Sequence, residues 1–93
     1  MNSEVRKAYF PDGKIKTVSC YEDGRLKGIQ RRFNEKGVLV EAVNYSNNKI
    51  DGFKNTYYAD GSLWRKELYE NGRIVERIEY DEEGRVTSQE DLQ

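Results

Sequence analysis

YEDGRL at residues 21–26 decides the fold. An aromatic residue, a charged spacer, Asp-Gly, a second charged spacer and an aliphatic residue make a unit that can fold back on itself. Asp-Gly accepts positive φ at both central positions of a type I′ turn, whose twist matches that of the two strands it joins. The same order returns as FPDGKI (10–15), FNEKGVL (33–39), YSNNKI (45–50), YADGSL (58–63), YENGRI (69–74) and YDEEGRV (80–86). The leading aromatics Phe10, Tyr21, Phe33, Tyr45, Tyr58, Tyr69 and Tyr80 recur every 11 to 13 residues, so two units make a repeat of about 24 residues. Asp-Gly at 12–13, 23–24 and 60–61, Asn-Gly at 71–72 and Asn-Asn at 47–48 predict two-residue type I′ turns. Glu35-Lys36-Gly37 and Glu82-Glu83-Gly84 hold one residue more and predict three-residue loops that close on a left-handed Gly.

These turns predict a register. Each aromatic is expected opposite the aliphatic that follows it: Phe10–Ile15, Tyr21–Leu26, Phe33–Leu39, Tyr45–Ile50, Tyr58–Leu63, Tyr69–Ile74 and Tyr80–Val86. Such cross-strand pairs contribute roughly 0.2–1 kcal/mol each. Simple alternation then puts Leu39, Glu41, Val43 and Tyr45 on one face, with Ile74, Glu76, Ile78 and Tyr80, and leaves polar residues in the middle of each strand. Neither face reads as apolar enough to demand a second layer. The expected fold is all-β: a single-layer antiparallel meander of about eight strands built from ~24-residue hairpin repeats. One strand breaks the alternation, because Leu26 and Phe33 stand an odd number of positions apart. A bulge or kink is expected at Lys27-Gly28-Ile29.

Composition agrees with one small domain covering residues 1–93, its repeats running roughly from 6 to 88. Of 93 residues, 35% are apolar and 35% charged, so little interior is expected. A net charge of −1, seven Tyr and a single Pro nevertheless argue for a folded chain. No apolar run approaches the ~20 residues that span a bilayer, and MNSEVRKAYF lacks the apolar stretch of a signal peptide. The expectation is a cytoplasmic protein without membrane insertion. With one cysteine, Cys20, and no His, neither an internal disulfide nor a metal or cofactor site is expected. The missing His also removes the usual general base and the Ser-His and Cys-His nucleophile pairs, so no catalytic residue is assigned and no enzyme is expected.

YEDGRLKG (21–28) and YSNNKIDG (45–52) resemble the Tyr-x-x-Gly-x-x-x-Gly core of the membrane occupation and recognition nexus (MORN) repeat, and FPDGKIK, YADGSLWRKE and YDEEGRV look like the intervening turns of its bacterial variant. Asn48 replaces the first Gly in one unit, and Glu76 replaces the second Gly in YENGRIVE. The resemblance implies a hairpin ribbon used as a binding surface, without catalysis. Eukaryotic arrays of the family are associated with membrane lipids or protein scaffolding, and short bacterial variants with antitoxins and immunity proteins.

Charge adds one asymmetry. Residues 1–50 carry a net +4 and residues 51–93 a net −5. The acidic end, Glu76, Glu79, Asp81, Glu82 and Glu83, is expected to steer a basic protein partner, with Trp64, Tyr57 and Phe53 as anchors. The bland reading of the same residues is a solvated end and ordinary strand packing. Lys27, Arg31 and Arg32 are too few to predict nucleic-acid binding. The expected function is protein binding, as an immunity or antitoxin protein that occludes a toxin with a basic surface. The alternative is a structural or scaffolding repeat acting through self-association, as a homodimer joined at sheet edges, or through attachment to a membrane surface.

Overall fold

Every turn signal becomes a hairpin, and the hairpins join into one antiparallel sheet. In the computed structural model, which describes residues 2–93, the strands are β1 (Ser3–Tyr9), β2 (Ile15–Glu22), β3 (Arg25–Leu26), β4 (Gly28–Phe33), β5 (Leu39–Ser46), β6 (Lys49–Tyr57), β7 (Leu63–Glu70), β8 (Arg73–Tyr80) and β9 (Val86–Asp91). They lie side by side in chain order, β1-β2-β4-β5-β6-β7-β8-β9, with the two-residue β3 against the end of β2. The Cα envelope is 39 × 34 × 14 Å. The fold is the all-β, single-layer antiparallel meander that the turn spacing predicts. The ninth strand exists because the expected kink splits one strand into β3 and β4 around Lys27.

Three turns are type I′, with positive φ at both central residues: Asp23 and Gly24 (50° and 79°), Asn47 and Asn48 (53° and 69°), Asn71 and Gly72 (51° and 87°). At 12–13 and 60–61 the expected type I′ turn is corrected, for only Gly13 and Gly61 are left-handed there. Gly13 N–H donates to Phe10 O and Phe10 N–H to Lys14 O, so the loop is three residues long, and Tyr58, Gly61 and Ser62 repeat the pattern. The aspartates explain it. Asp12 Oδ1 accepts the Lys14 N–H at 3.0 Å and Asp60 Oδ1 the Ser62 N–H at 2.9 Å, which ties each Asp into the turn and leaves the left-handed position to Gly alone.

The longer loop moves two aromatic pairs by one residue. Ile15 faces Tyr9, not Phe10, and Leu63 faces Tyr57, not Tyr58. The other five expected pairs are present. Six of the seven aromatics that pair are therefore spaced by 24 residues, as Tyr9, Phe33 and Tyr57 and as Tyr21, Tyr45 and Tyr69, and Tyr80 follows Tyr57 one residue short of that spacing.

Bulges accompany the turns. Beside the three-residue loops Lys16, Val40, Trp64 and Thr87 each have no residue opposite. Beside the first two type I′ turns the extra length is greater and contains Gly28 (φ 93°) and Gly52 (φ 105°). The third, where Glu76 replaces the glycine, inserts only Val75. Side-chain amides fill the openings. Gln30 Oε1 accepts the Cys20 N–H at 2.7 Å while its Nε2 donates to Cys20 O and Gly28 O, and Asn44 Nδ2 donates to Asp51 O. The turns also lean on one another at the repeat spacing, Asn48 N–H to Leu26 O and Gly72 N–H to Ile50 O.

Each one-residue bulge reverses the alternation of side chains, which corrects the expected faces. Glu67 lies opposite Arg77, so Ile74 shares its face with Arg77 and Glu79, while Ile78 belongs to the other face with Lys66 and Ala42. Ala42, Val43 and Val75 are buried, together with one charged residue, Glu67.

Candidate functional site

The two faces of the sheet differ in chemistry. One carries the cross-strand series Thr17, Arg32, Glu41, Thr56, Arg65, Glu79 and Ser88, beside Val43, Lys54, Glu67, Arg77 and Glu90. All of these charges except Lys54 meet in ion pairs: Arg32–Glu41 at 3.6 Å, Arg65–Glu79 at 2.9 Å, Arg77–Glu67 at 3.1 Å and Arg77–Glu90 at 3.7 Å. The Glu67 carboxylate raises the Arg77 pKa by accepting its hydrogen bond.

The opposite face carries Lys7, Val18, Arg31, Ala42, Asn55, Lys66, Ile78 and Gln89 in one series. The Tyr9/Ile15, Phe33/Leu39, Tyr57/Leu63 and Tyr80/Val86 pairs flank it along one side, and Phe53 facing Leu68 lies on the other. The five exposed large apolar residues among the described residues all fall here: Val5, Tyr9, Ile15, Leu68 and Val86. Among the described residues Lys7, Arg31 and Lys66 take part in no ion pair. This is an apolar face with a cationic seam. A cleft of about 370 Å³ opens on it between the first two three-residue loops, lined by Lys14, Ile15, Phe33, Lys36 and Gly37.

The residues expected to bind a partner are divided between these faces and the turns. Phe53, Tyr57 and Glu76 belong to the apolar face, Glu76 lying between Leu68 and Asp91. Trp64 sits at a bulge with its ring 6.1 Å from Tyr58 and the Arg65 guanidinium 4.2 Å above it, so it packs with the ion-pair face. Glu79 is held by Arg65. Asp81 organises the last loop, its Oδ1 accepting the Glu83 and Arg85 N–H groups and its Oδ2 meeting Arg85 Nε at 3.2 Å. The Arg85 backbone N–H is the main cause of its lowered pKa. Glu83 also meets Arg85, at 3.5 Å, and Glu82 is exposed. The acidic residues thus do not form one patch: Glu79, Asp81 and Glu83 are paired with arginines, and Glu76 is on the apolar face. Tyr58 ties this end together by donating its hydroxyl to Tyr80 O at 2.7 Å; burial, then Glu82, Asp81 and Glu79, raise its pKa.

The cationic seam and the exposed aliphatics escape sequence reasoning because the bulges hide their common face. The spacing of Tyr9, Phe33 and Tyr57 carries the signal that reveals it. Among the described residues no group of three or more His, Cys, Asp or Glu could hold a metal ion, and no helix is long and apolar enough to cross a membrane. Cys20 is half-buried, its thiol 3.7 Å from Ile29 O.

A family model, the MORN repeat variant, matches residues 5–23, 26–47 and 55–71. Each matched segment spans one hairpin with a three-residue loop. No curated protein and no solved structure matches the chain.

Proposed function

The chain belongs to the MORN repeat variant family, a non-enzymatic repeat module that binds proteins or membranes, and on that premise we propose that it binds a protein partner through its apolar face. The gathering of Val5, Tyr9, Ile15, Leu68 and Val86 on one face carries this reading. Exposed apolar side chains scattered over a surface need no explanation, but here the Phe33/Leu39 and Tyr57/Leu63 pairs on the intervening strands join Tyr9/Ile15 at one edge to Tyr80/Val86 at the other in one apolar row, and such a row marks a contact site. The seam of Lys7, Arg31 and Lys66 favours a partner whose complementary surface is acidic around an apolar centre. At 39 × 34 Å the sheet offers an area of about 1,300 Å², against about 800 Å² per partner in a standard interface. A thin plate of that size acts by covering. In finer terms we propose a cytoplasmic immunity or antitoxin protein that occludes a toxin or effector, a reading supported by the likeness to short bacterial variants and by the size of the plate.

The test compares co-purification from the native cell using the wild type, Leu68→Glu on the apolar face and Thr56→Glu on the ion-pair face. A partner retained by the wild type and Thr56→Glu and lost by Leu68→Glu is expected. A partner lost equally by both variants, or none at all, overturns the apolar face as the site. Growth arrest by the partner alone, relieved by co-expression of this chain, supports the finer reading; a harmless partner overturns it.

Lys7, Arg31 and Lys66 also favour a second reading, attachment to an anionic membrane surface. Three cations at about 1 kcal/mol each give a weak attachment, below the 4–8 of recognised lipid-binding clusters. Sedimentation with anionic vesicles at physiological salt checks it.

A further inference from the structure

We propose that β9 of one copy pairs with β1 of the next, so that the chain assembles head to tail and the repeat continues across the junction. This goes beyond partner binding and uses the sheet edges instead of its face. β1 and β9 are the outermost strands of the described sheet. Both occupy regular places in the repeat. Val86, Gln89 and Glu90 on β9 stand where Leu63, Lys66 and Glu67 stand on β7, and Tyr9, Lys7 and Arg6 on β1 stand where Tyr80, Ile78 and Arg77 stand on β8.

The β7–β8 pairing can therefore be transposed onto the junction. Lys66 opposite Ile78 becomes Gln89 opposite Lys7 of the next copy, and Arg65 opposite Glu79 becomes Ser88 opposite Ala8. Glu67 opposite Arg77, the ion pair at the buried carboxylate, becomes Glu90 opposite Arg6. The junction would thus reproduce the opposite-charge pair of β7–β8; the equivalent position between β5 and β6 holds Val43 and Lys54.

The backbone agrees. Asp23 N–H donates to Asn2 O, so by alternation Val5 and Lys7 turn their N–H and C=O groups outward. Leu92 N–H donates to Val75 O, so Gln89 and Asp91 turn theirs outward. In the transposed register Lys7 meets Gln89 and Val5 meets Asp91, each outward residue facing another. The junction also covers apolar surface: Val5 at 60%, Tyr9 at 56% and Val86 at 57% are the most exposed large apolar residues among the described residues, and all three belong to these edges. Charges on edge strands often serve to prevent pairing. Here Arg6 and Lys7 on one edge complement Glu90 and Asp91 on the other. Such an interface is heterologous and produces open chains unless its rotation closes a ring.

Sedimentation of the full chain from about 5 to about 500 µM should give a mass that rises with concentration. Lys7→Pro and Gln89→Pro each remove an outward N–H while sparing the inner ladder. Each variant alone should be monomeric, and an equimolar mixture should stop at a dimer, because one variant retains the β9 edge and the other the β1 edge. A monomeric wild type overturns the proposal, as does a variant that self-associates alone or a mixture that stays monomeric. If circular dichroism shows either proline variant to be unfolded, Arg6→Glu and Glu90→Arg replace them. Each should weaken association at least about tenfold, and the double variant should restore it; no restoration overturns the proposal. Leu68→Glu should leave association unchanged, which separates this junction from partner binding at the apolar face.

Discussion

Arg77 Nε reaches Glu67 Oε2 at 3.1 Å across β7 and β8, and the carboxylate it meets is 5% exposed although no second layer covers the sheet. Neighbouring side chains alone remove this carboxylate from water, so its partner matters more than that of an ordinary surface ion pair. Arg77→Met should lower the melting temperature by roughly 10 °C at pH 7. The loss should far exceed that of Arg32→Met, whose partner Glu41 is 29% exposed, and thermal scans of the two variants at pH 7 would reveal the difference.

Gly52 adopts φ 105°, and a Cβ there would lie 3.2 Å from Asn44 Nδ2. Gly52→Ala should cost about 1–2 kcal/mol from backbone strain alone, with a further loss as Asn44 gives up its bond to Asp51 O. Glu76 occupies the same repeat position in an ordinary strand conformation. Glu76→Gly should therefore destabilise by about 0.5–1 kcal/mol, even though it restores the family pattern. Urea midpoints of the two variants check both signs.

Gln30 bonds both the N–H and the C=O of Cys20. Gln30→Ala leaves the Cys20 N–H without a protein partner in a half-buried opening, while the C=O keeps the Lys27 N–H, and should cost about 1–3 kcal/mol. Hydrogen exchange should localise the damage, with the Cys20 amide losing protection while the Ala42 and Val43 amides keep theirs.

Asp60 and Asp81 have pKa values below the usual Asp value of 3.8, Asp60 mainly through the Ser62 hydroxyl and Asp81 mainly through the Arg85 N–H. A depressed folded pKa contributes stability that is complete above the unfolded value and fades as pH falls through the folded one. The two loops should thus weaken below about pH 3.8 and not between pH 5 and 8. The double variant Asp60→Asn, Asp81→Asn should remain folded, since Asn34 makes the bonds of Asp81 in an equivalent loop, to the N–H groups of Lys36 and Val38, and an amide oxygen at position 60 can still accept the Ser62 N–H. Its denaturation midpoint should change less than that of the wild type between pH 5 and 3.

Most of the fold is legible in the sequence because the turns are local. Asp23-Gly24, Asn47-Asn48 and Asn71-Gly72 specify their hairpins with their own φ preferences, and the odd spacing from Leu26 to Phe33 locates the kink. What is not legible depends on counting across bulges. One extra residue, such as Val75, sends the rest of the strand to the other face. The ion pairs Arg65–Glu79 and Glu67–Arg77 and the seam of Lys7, Arg31 and Lys66 were hidden for that reason. Phe10 and Tyr58 lie next to their turns and fit the local motif, whereas the aromatics that pair there are Tyr9 and Tyr57, which keep the 24-residue spacing to Phe33. The candidate site was legible in part: Phe53, Tyr57 and Glu76 share the apolar face, whereas Trp64 and the paired acids Glu79, Asp81 and Glu83 lie apart from it.

Strand order follows chain order from β1 to β9, so each strand is held only by its neighbours along the chain. A pull on the two ends would load the ladders one after another. The sheet would come apart like a zip, a strand at a time and at low force, and each released strand would leave those behind it intact. Restored slack would let the hairpins close again in any order, since every turn carries its own instructions.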